Sequence, residues 1–114
     1  MRVGNLDQRR DFTDVRDVVR AYALLLERGH AGLAYNIASG RMIPVRDLLD
    51  GLCGVAQVRP QIEIDPGLFR PNENRPAYDT ARIRDHVGWK PEIPLRQTLE
   101  AVYADILARR HAGA

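Results

Sequence analysis

The chain has little of several residue types that mark specialised folds. Among its 114 residues there is one cysteine and one tryptophan, and Lys90 is the only lysine. A single cysteine, Cys53, cannot form an internal disulfide, and His30, His86 and His111 have no metal-ligand spacing. Disulfide scaffolds and zinc ribbons are therefore excluded.

Long apolar runs are missing as well. No stretch approaches the roughly 20 apolar residues that span a bilayer, and the first five residues contain no apolar signal core. We therefore expect a cytoplasmic protein with no membrane partner.

Several catalytic and phosphate-binding motifs are absent. The sequence has no Gly-x-Gly-x-x-Gly, no Gly-x-x-x-x-Gly-Lys and no Gly-x-Ser-x-Gly. No tyrosine is followed four residues later by lysine, so a Tyr-x-x-x-Lys acid/base pair is also lacking. The chain alone therefore does not carry a complete catalytic centre.

The composition is that of one ordinary domain over residues 1–114, with 45% hydrophobic and 28% charged residues. The net charge is +2, and 16 of the 17 basic residues are arginine. Guanidinium groups make two-pronged contacts with phosphates and carboxylates, so an anionic ligand fits, although scattered surface charge explains the same composition. The spacing shows no basic helix face or aromatic platform, which argues against nucleic acid.

Apolar periodicity predicts an α/β fold with about four helices and two or three short strands. The first helix runs from Asp14 to Arg28, begins at Asp14 or Thr13 and ends at Gly29. Its buried face is predicted to contain Val15, Val18, Val19, Tyr22, Leu25 and Leu26. The other helices are predicted from Pro44 to Gly54, from Asp79 to Gly88 with Trp89 packed behind it, and from Pro94 to a tail that frays after Arg109.

Strands are predicted at Gly32 to Asn36 and at Gln61 to Asp65, with a third near Val3 or Phe12. The segment from Leu68 to Tyr78 contains prolines and has no periodicity, so it is predicted to be a loop. Two or three strands make a poor free-standing sheet, and this indicates one part of a larger α/β protein.

Three local groups of residues suggest chemistry. Asp11, Asp14 and Asp17 are spaced by three, which fits a metal site, but carboxylates are also favoured at helix N-termini and that interpretation is preferred. Arg9 and Arg10 lie at a strand-to-helix junction, where one of them could reach a phosphate, but from the pair alone ordinary surface charge is the preferred interpretation.

The third group is Arg70-Pro71-Asn72-Glu73. A proline-stiffened loop with an arginine and a glutamate three residues apart would form an anion clamp beside a hydroxyl acceptor, and solvated surface charge is an equal alternative. Cys53 is expected to be a core thiol, and His30 is expected to be solvated.

Several segments together resemble a known family: Val3 to Asp7, Arg10 to Tyr22, Tyr35 to Gly40, Arg70 to Glu73 and Gly88 to Leu95. They look like the C-terminal portion of extended short-chain dehydrogenases acting on nucleotide sugars. The opening segment and the Arg-Pro-x-Glu loop are most similar to the branch of GDP-mannose 4,6-dehydratases and GDP-6-deoxy-D-mannose reductases.

The resemblance implies a substrate-binding segment that lacks the N-terminal Rossmann half. In such enzymes the Rossmann half binds NADP and supplies the catalytic residues, so no cofactor is expected on this chain alone. The implied partners are a GDP-sugar, the missing Rossmann half and, in a homo-oligomer, further copies. At matching positions, Arg10 would lie against the diphosphate or base, Arg70 would clamp phosphate, and Glu73 would accept hydrogen bonds from ribose hydroxyls. Asn5 is a further substrate-binding candidate.

The sequence thus supports two hypotheses. The chain is the substrate-binding part of an NADP-dependent GDP-mannose 4,6-dehydratase or GDP-4-keto-6-deoxy-D-mannose reductase. The alternative is a truncated paralogue that binds nucleotide sugars or other anions without catalysis.

Overall fold

A computed structural model describes residues 1–71 and 75–112. Within these ranges the chain forms four helices and four short strands, which confirms the predicted α/β class. In chain order they are β1 (Arg2–Val3), β2 (Arg9–Asp11), α1 (Val15–Arg28), β3 (Met42–Pro44), α2 (Val45–Ala56), β4 (Glu63–Ile64), α3 (Ala81–Val87) and α4 (Leu95–Ala112). None of the helices in this part of the chain is long and apolar enough to cross a membrane.

The chain forms two compact units, each assembled from separate stretches. Unit 1 contains Met1–Arg10, Ile43–Asn74 and Arg96–Ala114. Unit 2 contains Asp11–Met42 and Arg75–Leu95. Strands β2 and β3 pair with each other.

Unit 1 contains the parallel pair of β1 and β4, in which Arg2 lies opposite Glu63 and Val3 opposite Ile64. The predicted strand at Gln61 to Asp65 is thus present but shorter, and the strand near Val3 is confirmed. Strand β3 was not predicted, because three residues ending in proline show no alternation of polar and apolar residues.

The two helices of unit 1 are longer than predicted. Helix α2 starts directly after Pro44 and continues past Gly54 to a left-handed cap at Gln57, whose φ is 57°. Helix α4 continues to Ala112, so the fraying predicted for the C-terminal tail is wrong as far as Ala112, and residues 113–114 lie outside the described residues. Arg109 forms an ion pair of 2.9 Å with Asp105, four residues earlier on the same helix, which supports this turn.

In unit 2, helix α1 has the predicted ends. The Asp14 side chain accepts a hydrogen bond from the N–H of Arg16, and Gly29 follows the last turn. The predicted buried face, however, is partly wrong. The helix turns Ala21 and Asp17 inward, while four of its apolar residues are mostly exposed: Val15, Val19, Tyr22 and Leu26.

The core of unit 2 lies between α1 and α3. It consists of Ala21, Ile83, Val87 and Trp89, and Trp89 is only 1% exposed. Helix α3 ends as predicted at Gly88, whose φ of 72° suits glycine. Burial of each large side chain in this cluster contributes about 1.5–3 kcal/mol to folding.

The strand predicted at Gly32 to Asn36 is wrong, because this segment forms no strand. Its alternation is nevertheless visible in the packing, since Tyr35 and Ile37 lie against the core while Asn36 is exposed. The segment is attached by side chains instead of a ladder. The Arg82 guanidinium donates to the carbonyl of Ala34 at 2.8 Å, and the Asn36 amide donates to the carbonyl of Asp79 at 3.0 Å.

Two further residues were assigned environments from sequence. Cys53 is only half-buried, in the wall of an open cleft on α2, so the expected core thiol is wrong. His30 is exposed, as predicted, and its ring also stacks on that of His86 with 4.2 Å between centroids.

Asp17 connects α1 to the chain that follows α3. Its carboxylate is 2% exposed and accepts hydrogen bonds from the backbone N–H groups of Glu92 and Ile93 at 3.1–3.2 Å. It also forms an ion pair of 3.1 Å with Arg20. The carbonyl of Asp17 accepts from Nε1 of Trp89 at 2.9 Å, so one residue holds both the ring and the following segment.

Replacing Asp17 with alanine is expected to lower the free energy of unfolding of unit 2 by about 2–4 kcal/mol, because two N–H groups and a guanidinium lose their partner. Urea unfolding followed by the fluorescence of Trp89, the only tryptophan, measures this directly. The control is Asp47→Ala, at an exposed aspartate in the first turn of α2. Equal midpoints for the two variants would contradict the assignment.

The exposed apolar residues of α1 predict self-association. Val19 and Leu26 are 60% and 91% exposed, and apolar surface of this kind favours association. Sedimentation velocity at increasing protein concentration should show larger species for the wild type and fewer for a Val19→Glu, Leu26→Glu variant. A control carrying Ala101→Glu and Ala104→Glu adds the same charge to exposed alanines of α4. A wild type that stays monomeric would contradict the prediction.

Candidate functional site

The segment that ends at Arg70 runs beside the N-terminus within unit 1. The N–H of Glu63 donates to the carbonyl of Met1 at 2.9 Å, and the N–H of Asp65 donates to the carbonyl of Val3 at 2.8 Å. These bonds extend the β1–β4 pair at both ends. They bring residues near position 70 next to residues 4 and 5.

A tight turn follows β4. The Asp65 carboxylate accepts from the N–H of Gly67 at 2.8 Å, and its carbonyl accepts from the N–H of Leu68 at 3.0 Å. Short acidic side chains stabilise turns in this way, and the Asp-Pro-Gly sequence is typical of one. After the turn, Leu68 and Phe69 lead to Arg70.

Gly4 and Asn5 contact the segment that follows the turn, residues 68–70. A Cβ atom at Gly4 would collide with the carbonyl oxygen of Leu68, so only glycine allows this approach. Nδ2 of Asn5 donates to the carbonyl of Arg70 at 2.7 Å. The structure therefore brings together two of the predicted site residues, Asn5 and Arg70.

Arg70 itself is exposed. Within residues 1–71 and 75–112, no carboxylate pairs with its guanidinium. An exposed arginine with no carboxylate partner can donate hydrogen bonds from its guanidinium to a phosphate without first breaking an ion pair.

Arg10 lies in β2 and is half-buried. Its Nη1 donates to the carbonyl of Arg9 at 2.8 Å, and in the described ranges no hydrogen bond joins it to Asn5 or Arg70. Glu73, the remaining predicted site residue, lies outside the described residues.

The stretch between Asn5 and Arg10 is attached to the start of α2. The N–H groups of Val45 and Arg46 donate to the carbonyls of Gln8 and Leu6, both at 2.8 Å. The Arg46 guanidinium also pairs with Asp7 at 3.2 Å. Helix α2 thus supports the backbone that carries Asn5.

The aspartates at positions 11, 14 and 17 do not form a metal site, and the part of the chain that is described contains no cluster of three metal-ligating side chains. Each has its own structural partners. Asp11 accepts from the N–H groups of Ser39 and Gly40, both at 2.9 Å. Asp14 caps α1 and pairs with Arg16, and this hydrogen bond raises the pKa of the Arg16 guanidinium. The helix N-terminus interpretation is confirmed for Asp14.

Sequence reasoning did not identify Gly4 and Asp65 as parts of this site. The signal for Asp65 was present, since Asp-Pro-Gly after an alternating segment is typical of a tight turn. For Gly4 no local signal existed, because its need for a small residue comes from Leu68, far along the chain.

The arrangement is a guanidinium on a loop whose backbone is fixed to the N-terminal strand. Chemically it can bind an anion and orient it. The described residues around it include no nucleophile paired with a base.

The chain is similar to several known proteins. The sequence profile of the family described as GDP-mannose 4,6 dehydratase matches residues 1–102. The GDP-6-deoxy-D-mannose reductase of Pseudomonas aeruginosa is 43% identical over 106 residues, which cover 92% of this chain and 35% of that protein. The dTDP-glucose 4,6-dehydratase of Salmonella typhimurium is 33% identical over 112 residues, covering 85% of this chain and 30% of that protein.

Solved structures show the same relationship. RMD from Pseudomonas aeruginosa, complexed with NADPH, superposes with a TM-score of 0.88 at 42% identity, covering 96% of this chain and 36% of that one. A UDP-glucose 4-epimerase from Thermotoga maritima, with UDP-glucose, gives a TM-score of 0.70 at 25% identity and covers 86% of this chain and 31% of that one.

The chain spans about a third of the length of the curated relatives it matches. The matched residues include Gly4 and Asn5, the turn at Asp65, and Arg70. By the extent of this match, the chain belongs to the GDP-mannose 4,6 dehydratase family.

Proposed function

We propose that this chain is the substrate-binding part of an NADP-dependent GDP-mannose 4,6-dehydratase or GDP-4-keto-6-deoxy-D-mannose reductase. Its task is to bind the GDP end of the sugar nucleotide. The observation that carries the proposal is the exposed Arg70 guanidinium on a backbone anchored to Asn5.

The chemistry of the loop supports an anionic ligand. A diphosphate offers several oxygens to the forked donors of Arg70, and charge-assisted hydrogen bonds of this kind are about twice as strong as neutral ones. Arg10 is the second proposed contact to the diphosphate or base. Glu73 is proposed to accept hydrogen bonds from the ribose hydroxyls, for which a carboxylate is a natural partner.

The residues present do not fit a dinucleotide cofactor. No Gly-x-Gly-x-x-Gly turn and no Tyr-x-x-x-Lys pair occurs in the sequence, so no residue here is assigned to NADP. In the proposed full-length enzyme, the cofactor is held by the part of the fold that this chain does not span. The contribution of this chain is to hold the nucleotide and thereby orient the hexose.

Replacing Arg70 with alanine is expected to weaken the binding of GDP-mannose by roughly 1.5–3 kcal/mol, the usual contribution of a charge-assisted hydrogen bond. Glu73→Gln should cost less, because an amide oxygen still accepts. Isothermal titration calorimetry of the wild type and both variants gives the affinities.

Arg59→Ala is the matched control, since Arg59 is an exposed arginine of the same unit. It should bind GDP-mannose as the wild type does. A nucleic-acid binder would lose affinity in similar small steps at either arginine, with a steep dependence on salt. Equal affinities for wild type and Arg70→Ala would show that the loop assignment is wrong and direct attention to Arg10.

The chain alone is expected to catalyse no oxidation of NADPH or reduction of NADP with a GDP-hexose, because the catalytic pair is missing from its sequence. Absorbance at the nicotinamide band, with the Pseudomonas aeruginosa reductase as positive control, measures this. Turnover that scales with the concentration of the purified chain would contradict it.

A further inference from the structure

The main-chain carbonyl of Arg70 is held by a side chain that lies 65 residues earlier in the sequence. Nδ2 of Asn5 donates to this carbonyl over 2.7 Å. Oδ1 of the same carboxamide accepts from the N–H of Asp7 at 3.0 Å. Because one partner requires a donor and the other an acceptor, the two bonds orient the amide group.

Glycine at position 4 makes this bond possible. The carbonyl of Leu68 occupies the space that a Cβ atom of Gly4 would need. Any larger residue at this position would push residues 68–70 away from Gly4 and Asn5. The close approach of the two backbones therefore depends on Gly4, and the hydrogen bond depends on that approach.

Among the described residues, the segment between the turn and Arg70 has few other supports. Leu68 and Phe69 donate backbone hydrogen bonds to Asp65 and Pro66, at 3.0 and 3.4 Å, and their side chains are exposed. Little apolar burial holds this segment. A hydrogen bond at its end therefore has a large influence on where Arg70 lies.

We propose that Asn5 is a positioning residue that acts through Arg70: its carboxamide fixes the Arg70 backbone, so that the guanidinium is presented to the diphosphate. The proposal rests on the proposed function of Arg70 as a phosphate contact. Fixing the backbone before the ligand arrives reduces the conformational entropy lost on binding, which is how such a residue increases affinity.

The substitution Asn5→Asp removes the donor of this bond. Aspartate keeps an oxygen for the N–H of Asp7 but replaces the Nδ2 donor with an oxygen that faces the carbonyl of Arg70. We expect GDP-mannose to bind about 3- to 10-fold more weakly, as for the loss of one neutral hydrogen bond. Isothermal titration calorimetry provides the affinity, and thermal unfolding monitors the fold.

Asn36→Asp is the matched control. The Asn36 amide also donates to a distant carbonyl, that of Asp79 at 3.0 Å, but in unit 2. The substitution introduces the same charge and removes the same kind of bond. The Asn36→Asp variant should bind GDP-mannose with the same affinity as the wild type.

A double-mutant cycle separates positioning from direct contact. If Asn5 acts through Arg70, Asn5→Asp should have no further effect on affinity in an Arg70→Ala background. A loss of equal size in both backgrounds would show that Asn5 acts on the ligand directly, or through its charge, and would overturn the proposal.

Gly4→Ala tests the same bond with Asn5 and Arg70 both intact. It should reproduce the loss of affinity seen for Asn5→Asp. Gly54→Ala is its control, because a Cβ atom at Gly54 meets no atom within 4 Å. Wild-type affinity in Gly4→Ala would contradict the proposal.

The heteronuclear NOE of the Arg70 amide gives a readout that does not need ligand. It should fall in Asn5→Asp and Gly4→Ala and stay unchanged in Asn36→Asp and Gly54→Ala. If Arg70→Ala binds GDP-mannose as the wild type does, the proposed function fails, and the NOE alone decides the positioning role. An unchanged NOE of the Arg70 amide in Asn5→Asp would overturn the proposal that Asn5 positions Arg70.

Discussion

The carboxylate of Asp17 is 2% exposed, and an unpaired charge in such a place would cost several kcal/mol. Arg20 and the N–H groups of Glu92 and Ile93 remove that cost. In doing so they attach the chain after α3 to the first turn of α1, and the Asp17 carbonyl accepts a hydrogen bond from Trp89 at the same point. The core of unit 2 is closed by these bonds, because its strands supply no ladder across it.

Hydrogen bonds from side chains to distant backbone groups also hold other parts of the chain. Strands of two or three residues leave most loop backbone without ladder partners, and short polar side chains satisfy it instead. Asp11 binds Ser39 and Gly40 in unit 2, and in unit 1 Asn5 binds the carbonyl of Arg70. The candidate site is therefore held by the same kind of hydrogen bond as the rest of the fold, and on this ground we propose a positioning role for a single asparagine.

Local signals predicted the elements well where the deciding contacts are close in sequence. Asp14 and Gly29 bound α1, and Gly88 ends α3 with a left-handed residue, as expected. Predictions failed where a distant contact decides. A strand at 32–36 needs a neighbouring strand, and within the described residues the segment is attached by side chains of Asn36 and Arg82. The apolar residues of α1 lie on two adjacent faces of the helix, and their spacing does not show which face is buried. The face that packs on α3 contains Ala21.

The α/β class, both ends of α1, the C-terminal end of α3 and the family can be read from the sequence alone, because each depends on residue types at short or fixed spacings. The position of Arg70 in a loop can be read in the same way. The bonds from Asn5 to the Arg70 backbone and from Asp17 to Ile93 become visible only in the folded chain, since 65 and 76 residues separate these pairs. No local pattern encodes such partners, because a hydrogen bond needs the folded chain to bring donor and acceptor within about 3 Å.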